Sequence, residues 1–490
     1  GFLEDKKGKN YKENDQMRGF RWLPKAQLNT TALLSYRKNN FQAFYKFEYL
    51  DENIDYYNST VQSGYNTQLG SYRYASDKRY LVNRYFHNLN STGKIFSKLK
   101  YNVSLSHQKQ ERNMEDFRYY FQTKTEGNNV IIKDQSMEVL YATGTLSNLF
   151  VDKKIDLQLG YEIVNNKGFS LVQEADNKVI PIRKTLENYD FFVSSEIKAT
   201  EKFSIRPGIR ASAQSKFKDQ QASSLALRYL LEKGIEIRGS YGNSFRTPSF
   251  EELYSKQIFD GHFFAGNENL IPETSTSYEM SFKKNSFLAS DLQINTTFSG
   301  SFLNIKNRID MALVRFNTDT GNPEYEYINI SKYKMWNFST TNQFKKENWT
   351  FNIGAAIIGI SQKIENQVFA SNEKYLYSFN LNSSVSYVVP KWNTTFSTYY
   401  KFNGKSQQFV EGASEYVIST VDSSNWLDAS IRKTFFKDKF ETTIGARNLL
   451  NITSINQSRT SEGAGHATSS QIMLAYGRSY FLKLTYNLNF

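Results

Sequence analysis

A chain of 490 residues exceeds what one packed core usually organises, so it requires either several domains or one large closed sheet. Aromatic residues make up 16% of it, with 33 Tyr and 38 Phe against 7 Pro, while hydrophobic residues reach only 39%, a mixture that suits strands better than helices. Cysteine is absent and the net charge is +13, which excludes disulfide frameworks and thiolate metal sites; the lysines are scattered through turns and loops without a basic helix, so they read as solvated surface rather than a nucleic-acid footprint.

No run of about 18 apolar residues exists, and the longest candidate, "IGAAIIGI" at 353–360, carries two glycines, so no transmembrane helix is expected. A membrane barrel stays open, because lumen-facing polar residues dilute its hydropathy. The chain has no signal peptide and begins at Gly1, as a processed or truncated chain would.

Residues 1–27, rich in Lys, Asp, Glu and Asn, read as the remnant of a long extracellular loop, and 28–490 as a barrel. From Leu28 the period is two. Leu28, Thr30, Ala32, Leu34 and Tyr36 share one face, then Phe41, Ala43, Tyr45, Phe47 and Tyr49 share another, and later Tyr375, Tyr377, Phe379, Leu381, Val385, Tyr387 and Val389 do the same. Such faces have the length of tilted bilayer-spanning strands, about 9 to 11 residues. Short connections are expected at 37–40, 151–154, 200–202, 232–234, 345–348 and 437–439. Long polar loops are expected at 51–78, 108–135, 167–187, 246–274, 310–325, 404–425 and 451–478. Short turns on one rim and long loops on the other describe an antiparallel transmembrane β-barrel of a bacterial outer membrane, and a soluble β-sandwich needs neither feature.

About nineteen strands fit between those connections. The first and last then run in the same direction, whereas a closed antiparallel barrel of even count begins and ends oppositely, so further strands are expected upstream of Gly1. At the other end Tyr480, Leu482, Leu484, Tyr486, Leu488 and Phe490 form an apolar face that reaches the last residue.

Three stretches carry a family likeness. "YGNSFRTPSFEELY" (241–254) places Phe245, Arg246, Thr247 and Pro248 at a strand end with a Glu-Leu-Tyr beyond. "GNENLIPETSTSYEMSF" (266–282) places Asn267, Glu268, Asn269 and Leu270 ahead of the next strand, and "GARNLLNIT" (445–453) precedes the final one. Together with Phe490 these resemble the barrel of TonB-dependent outer-membrane receptors, in particular haem receptors, across roughly residues 28–490. The resemblance implies a 22-stranded barrel, a plug domain, and import powered by the TonB-ExbB-ExbD complex acting through that plug. The plug's own motifs and a TonB box are not found in these residues. It implies outer-membrane lipid and lipopolysaccharide as surroundings and a surface lipoprotein as a further partner.

The resemblance also places a haem-binding histidine between the two loop motifs, where His262 stands. An imidazole there can ligate haem iron, Phe259, Phe263 and Phe264 can stack on the porphyrin, and Arg246 can pair with a propionate. His466 is a candidate second ligand, and His107 and His87 are weaker ones. Haem is thus the expected transported ligand, with no intrinsic cofactor. Siderophores, cobalamin and glycans are rival cargoes, and a plugless passive porin is the rival from another class. No catalytic constellation is expected: Glu251 and Glu252 are adjacent, so in extended chain they point apart.

Overall fold

The computed structural model describes the chain apart from residues 1–11, 14–17, 19–24, 68–69, 97, 151–153, 174–177, 260–261, 289–290, 319–320, 364–373, 412–415, 437–438, 459–470 and 488–490. Chain order runs β1 (Lys25–Lys38), β2 (Phe41–Tyr56), the short β3 (Gln62–Asn66), β4 (Gly70–Ile95), β5 (Leu99–Tyr120), β6 (Thr125–Ser147), β7 (Ile155–Gln173), β8 (Val179–Lys198), β9 (Phe203–Gln214), β10 (Gln220–Leu231) and β11 (Ile235–Arg246). A helical turn α1 (Phe250–Tyr254) and the hairpin of β12 (Lys256–Phe259) and β13 (His262–Ala265) come next. The series resumes with β14 (Glu273–Leu288), β15 (Leu292–Phe316), β16 (Pro323–Lys346), β17 (Trp349–Lys363), β18 (Leu376–Val389) and β19 (Thr394–Asn403). A separate hairpin, β20 (Ser406–Glu411) with β21 (Tyr416–Val421), precedes β22 (Ser424–Phe435) and β23 (Phe440–Arg447). A second small pair, β24 (Ser454–Asn456) with β25 (Gln471–Met473), precedes β26 (Ser479–Tyr486).

With β3, β12, β13, β20, β21, β24 and β25 set aside, 19 of the 26 strands remain, and each pairs antiparallel with the next in chain order from β1 to β26. That matches the count expected from the sequence, and β1 and β26 run the same way. No pairing joins β1 to β26 among the described residues.

Cross-strand register explains the alternation. Leu34 faces Tyr45, which faces Leu89, then Leu105, Ala142, Ile163 and Tyr189, so one apolar row runs unbroken over seven strands. On the far side Phe396, Ile431, Ile444 and Leu482 continue it. These side chains are on the outside: Leu34 is 70% and Leu482 62% exposed. Such a belt is stable only against lipid, where removing each large apolar side chain from water contributes about 1.5–3 kcal/mol. The opposite face is polar. Asn295 donates to Gln343 (3.1 Å), Gln343 to Asn352 (3.0 Å) and Asn352 to Ser384 (3.1 Å), an uncharged ladder across four neighbouring strands. Leu488 and Phe490 of the expected terminal face lie outside the described residues.

All six expected short connections fall between strands, and the tightest are two residues long, at 39–40 and 347–348. Asn39 and Glu347 take positive φ there, Asn393 does so just before β19, and Lys233 and Gly234 (φ 59° and 72°) turn the chain between β10 and β11. The expected long loops need correction. Residues 108–135 are mostly strand, with β5 and β6 meeting at 121–124, and within 167–187 the residues up to Gln173 belong to β7 and those from Val179 to β8. Above the bilayer no lipid holds one face of a strand apolar, so the apolar/polar alternation that marks a strand in sequence disappears while the backbone ladder continues. Strand lengths are uneven as a result: β4 has 26 residues, β5 22 and β6 23, whereas β9, β10 and β11 have 12 each.

Of the expected N-terminal loop, Lys12, Glu13 and Arg18 are described, and they pack at the long-loop rim. Arg18 and Asp77, both buried, form an ion pair ringed by Tyr57, Tyr119 and Phe121, and Lys12 pairs with Glu126. β1 begins at Lys25, slightly before the boundary drawn from the sequence.

Candidate functional site at the barrel mouth

The stretch from 247 to 272 does not leave the barrel as a free loop. Beyond the end of β11, Pro248 cannot extend the ladder, and Ser249 starts a helical turn with reciprocal capping: Ser249 Oγ accepts from Glu252 N (3.3 Å) and Glu252 Oε2 accepts from Ser249 N (2.7 Å). The extended conformation expected for Glu251 and Glu252 is therefore wrong, because Ser-x-x-Glu after a proline favours a helix start. α1 lies inside the wall. Phe250 approaches Gly168 of β7 so closely that a Cβ there would fall 2.2 Å from its ring, and Gly168 belongs to the lumen-facing set of β7. Phe250, Leu253 and Tyr254 bury with Leu270 and Ile309, and Ile182, Leu186, Phe217 and Tyr327 pack around them, forming a small dry core beside the lumen.

Arg246 holds the two ends of this loop together. Its Nη1 donates to Glu252 Oε2 (2.9 Å) and its Nη2 to Glu273 Oε1 (2.6 Å), and Glu273 Oε1 also accepts from Ile309 N (2.7 Å). Arg246 and Glu273 are direct register partners on β11 and β14. The hydrogen bond that Arg246 donates to Glu273 leads in raising the guanidinium pKa. Burial pushes the Glu252 carboxyl up, but Arg246 and the Ser249 amide outweigh it and leave the group below its ordinary value of 4.5. A depressed folded-state pKa contributes stability that is complete above the unfolded value and is lost as pH falls through the folded one. A spin label on β12 is therefore expected to report an unchanged docked loop from neutrality down to the ordinary carboxylate range and release only as the pH falls below it.

The second motif completes the staple. Gly266 N donates to Ser255 O (2.6 Å), Asn267 N to Glu252 O (2.8 Å), and Asn267 Nδ2 to Tyr327 O on β16 (3.0 Å), while Asn267 Oδ1 accepts from Asn269 N (2.9 Å). Asn329 of β16 then brackets Ile271, accepting from its N–H and donating to its carbonyl, both at 3.0 Å. Lys216 donates to Tyr254 Oη (2.9 Å) and lies 3.6 Å from Glu268. Leu270 fills the core.

On this base stands the β12–β13 hairpin. β13 pairs parallel with β16, setting Phe264 opposite Tyr325. The rings of His262, Phe264 and Tyr325 lie nearly parallel: centroids are 5.2 Å apart for Phe264 and Tyr325, 6.3 Å for His262 and Phe264, and 6.1 Å for His262 and Tyr325, with interplanar angles of 17° to 28°. Half-buried, they make a flat aromatic platform that includes an imidazole. Phe263 alternates away from it along β13.

His262 and Phe264, both singled out in the sequence, lie side by side, and Tyr325, which sequence reasoning missed, joins them. The expected propionate partner, Arg246, is instead engaged by two carboxylates. The Phe259 side chain and the whole of His466 lie outside the described residues. His87 and His107 lie elsewhere, on the outer face of β4 and β5: Tyr45 Oη is 2.7 Å from His87 Nδ1, and His107 Nε2 is 3.1 Å from Glu138. Thr247 and Glu268 occupy motif positions without contributing to the platform.

A family model described as "TonB dependent receptor-like, beta-barrel" matches residues 14–449. Among solved structures, the siderophore receptor PirA from Acinetobacter baumannii superposes with a TM-score of 0.62 at 13% identity, over 95% of this chain and 78% of that one. A mutant of the ferric enterobactin receptor PfeA from Pseudomonas aeruginosa gives 0.58 at 12% identity, over 95% and 78%. The outer membrane transporter YddB from Escherichia coli gives 0.55 at 11% identity, over 94% and 75%. Identities this low show a shared fold.

Proposed function

Since the chain belongs to the TonB-dependent receptor family as its β-barrel and stands in the bacterial outer membrane, we propose that it imports a scarce iron chelate, haem before others. The observation that carries this reading is the parallel stack of His262, Phe264 and Tyr325 held over the mouth by a stapled loop. A planar macrocycle can lie on such a platform, and a neutral imidazole nitrogen is a good axial ligand for its iron. Import needs an energy source that a wall of strands does not have. In this reading TonB, with ExbB and ExbD behind it, supplies the proton gradient through a plug, and a surface lipoprotein and lipopolysaccharide are neighbours at the rim.

Titrating the full receptor with haem and following the Soret band tests the assignment. His262→Ala is expected to weaken binding about tenfold or more, roughly 1.4 kcal/mol, and to shift the band. Unchanged spectra in both proteins would remove haem. The engagement of Arg246 by Glu252 and Glu273 supports a second reading, an aromatic siderophore stacked on Phe264 and Tyr325 without a propionate contact. Loss of affinity for such a chelate in Tyr325→Ala but not in His262→Ala would favour it.

A further inference from the structure

Two of the chain's four histidines are direct register partners: His87 on β4 faces His107 on β5, on the outer surface of the wall. One step down that face are Leu89 and Leu105 of the apolar belt, and one step up are Tyr85 and Lys109, so the pair stands where the belt gives way to charge. The two rings are 25° from parallel with centroids 6.4 Å apart, and Phe47 leans on the His87 ring at 5.1 Å.

Each ring has one nitrogen engaged. His107 Nε2 is 3.1 Å from Glu138 Oε1, and because an ionised carboxylate only accepts, this nitrogen carries the proton and Nδ1 keeps its lone pair. His87 Nδ1 is 2.7 Å from Tyr45 Oη. A hydroxyl both donates and accepts, so Nδ1–H can donate to Tyr45, which leaves the lone pair on Nε2 without loss of the bond. Metal-binding histidines have this arrangement: the far nitrogen donates to a carboxylate or another oxygen, which fixes the ring and makes the near nitrogen more basic. Residues directly opposite on antiparallel strands have Cβ atoms about 4.5–5.5 Å apart, so both imidazoles can reach one ion. An imidazole nitrogen binds zinc at about 2.0–2.1 Å, so two rings sharing an ion have centroids roughly 4.5 to 6.5 Å apart according to the angle at the ion. The separation seen here falls within that range.

We propose that His87 and His107 form a two-nitrogen site for a divalent transition ion, Cu2+ before Zn2+ or Ni2+, at the outer edge of the lipid belt. Among the described residues no third histidine or carboxylate completes a cage, so water fills the remaining positions. Two imidazoles with two waters suit the tetragonal geometry of Cu2+, the strongest binder of the first-row divalent series. Mg2+ and Ca2+ take oxygen donors and are poorly served by this pair. Lys109, two residues along β5, is paired with Glu111 at 3.2 Å, and Glu138 adds negative charge beside the ion. The His107 side chain is 40% exposed, so an ion reaches it from the water above the belt. The site faces away from the lumen and is independent of the platform at the mouth.

The test is copper titration of the intact receptor in detergent micelles, followed by electron paramagnetic resonance. With one equivalent of Cu2+ the wild type is expected to show two equatorial nitrogens. His87→Ala and His107→Ala should each leave one and weaken binding at least about a hundredfold, since losing only the orienting partner of a ligating histidine costs about 10 to 100-fold. Glu138→Gln should weaken binding about tenfold with both nitrogens retained, the mark of a group that acts through His107. Excess Zn2+ should displace the copper signal and excess Mg2+ should not. A wild type that binds Cu2+ no more tightly than His87→Ala, a wild-type signal with a single nitrogen, or displacement by Mg2+ overturns the proposal. Should an alanine variant fail to assemble, His107→Phe, which keeps a ring at that height, decides in its place, and unchanged copper binding there has the same consequence.

Discussion

Arg246→Ala is expected to release the loop at 247–272 from the barrel mouth. The substitution leaves two carboxylates, Glu252 and Glu273, with side chains only 14% and 12% exposed and no cation between them. Breaking a fully buried pair costs about 3–5 kcal/mol. The guanidinium itself is 46% exposed and partly screened, so we expect about 2–3 kcal/mol of local stability to be lost. Hydrogen exchange should show the amides of α1 and β13 losing protection while β11 and β14 keep theirs. Arg246→Lys should recover part of the effect, because an ammonium can serve one carboxylate but not span both with a rigid fork. If α1 stays protected in Arg246→Ala, the ion pairs are not what holds the loop.

Gly266→Ala should have a comparable effect by a different route. A Cβ at this position would lie 2.6 Å from Leu253 C and from Tyr254 N, which are backbone atoms of α1 and cannot rotate away. Overpacking against a flexible side chain costs about 1–3 kcal/mol, and against fixed backbone we expect the upper end of that range. The Gly266–Ser255 hydrogen bond would be lost with it. Ligand uptake should fall in whole cells although barrel assembly, followed by heat-modifiable migration, is normal. An intact loop in this variant, read by protease resistance of 247–272, would show that the backbone can move apart there.

What the sequence reveals follows from where water and lipid lie. Rows such as Leu34, Tyr45, Leu89 and Leu105 alternate because one side of each strand meets hydrocarbon and the other the lumen. Around Glu115 and Ile131, which are register partners on β5 and β6, Ile131 is exposed while Glu115 is buried against Arg79 and Asn129, so no apolar face alternates with a polar one and an unbroken strand reads as a loop. The mouth was legible in part. The motif around Arg246 and the histidine at 262 were visible as residues, and Ser249 with Glu252 carried a capping signature that went unread. The partners were not visible: Glu273 reaches Arg246 through strand pairing, and Tyr325 reaches His262 only because β13 runs parallel to β16. No local periodicity encodes a contact of that kind.

The uneven strand lengths shape the approach to the site. Strands of 22 to 26 residues stand on one side and strands of 24 and 25 on the other, with the 12-residue β9, β10 and β11 between them. At about 3.3 Å per residue along a tilted strand, ten extra residues raise a wall by roughly 20 Å, so the rim has a low saddle. The stapled loop arises from that saddle, and cargo crossing the sill arrives obliquely, sheltered by a parapet to left and right.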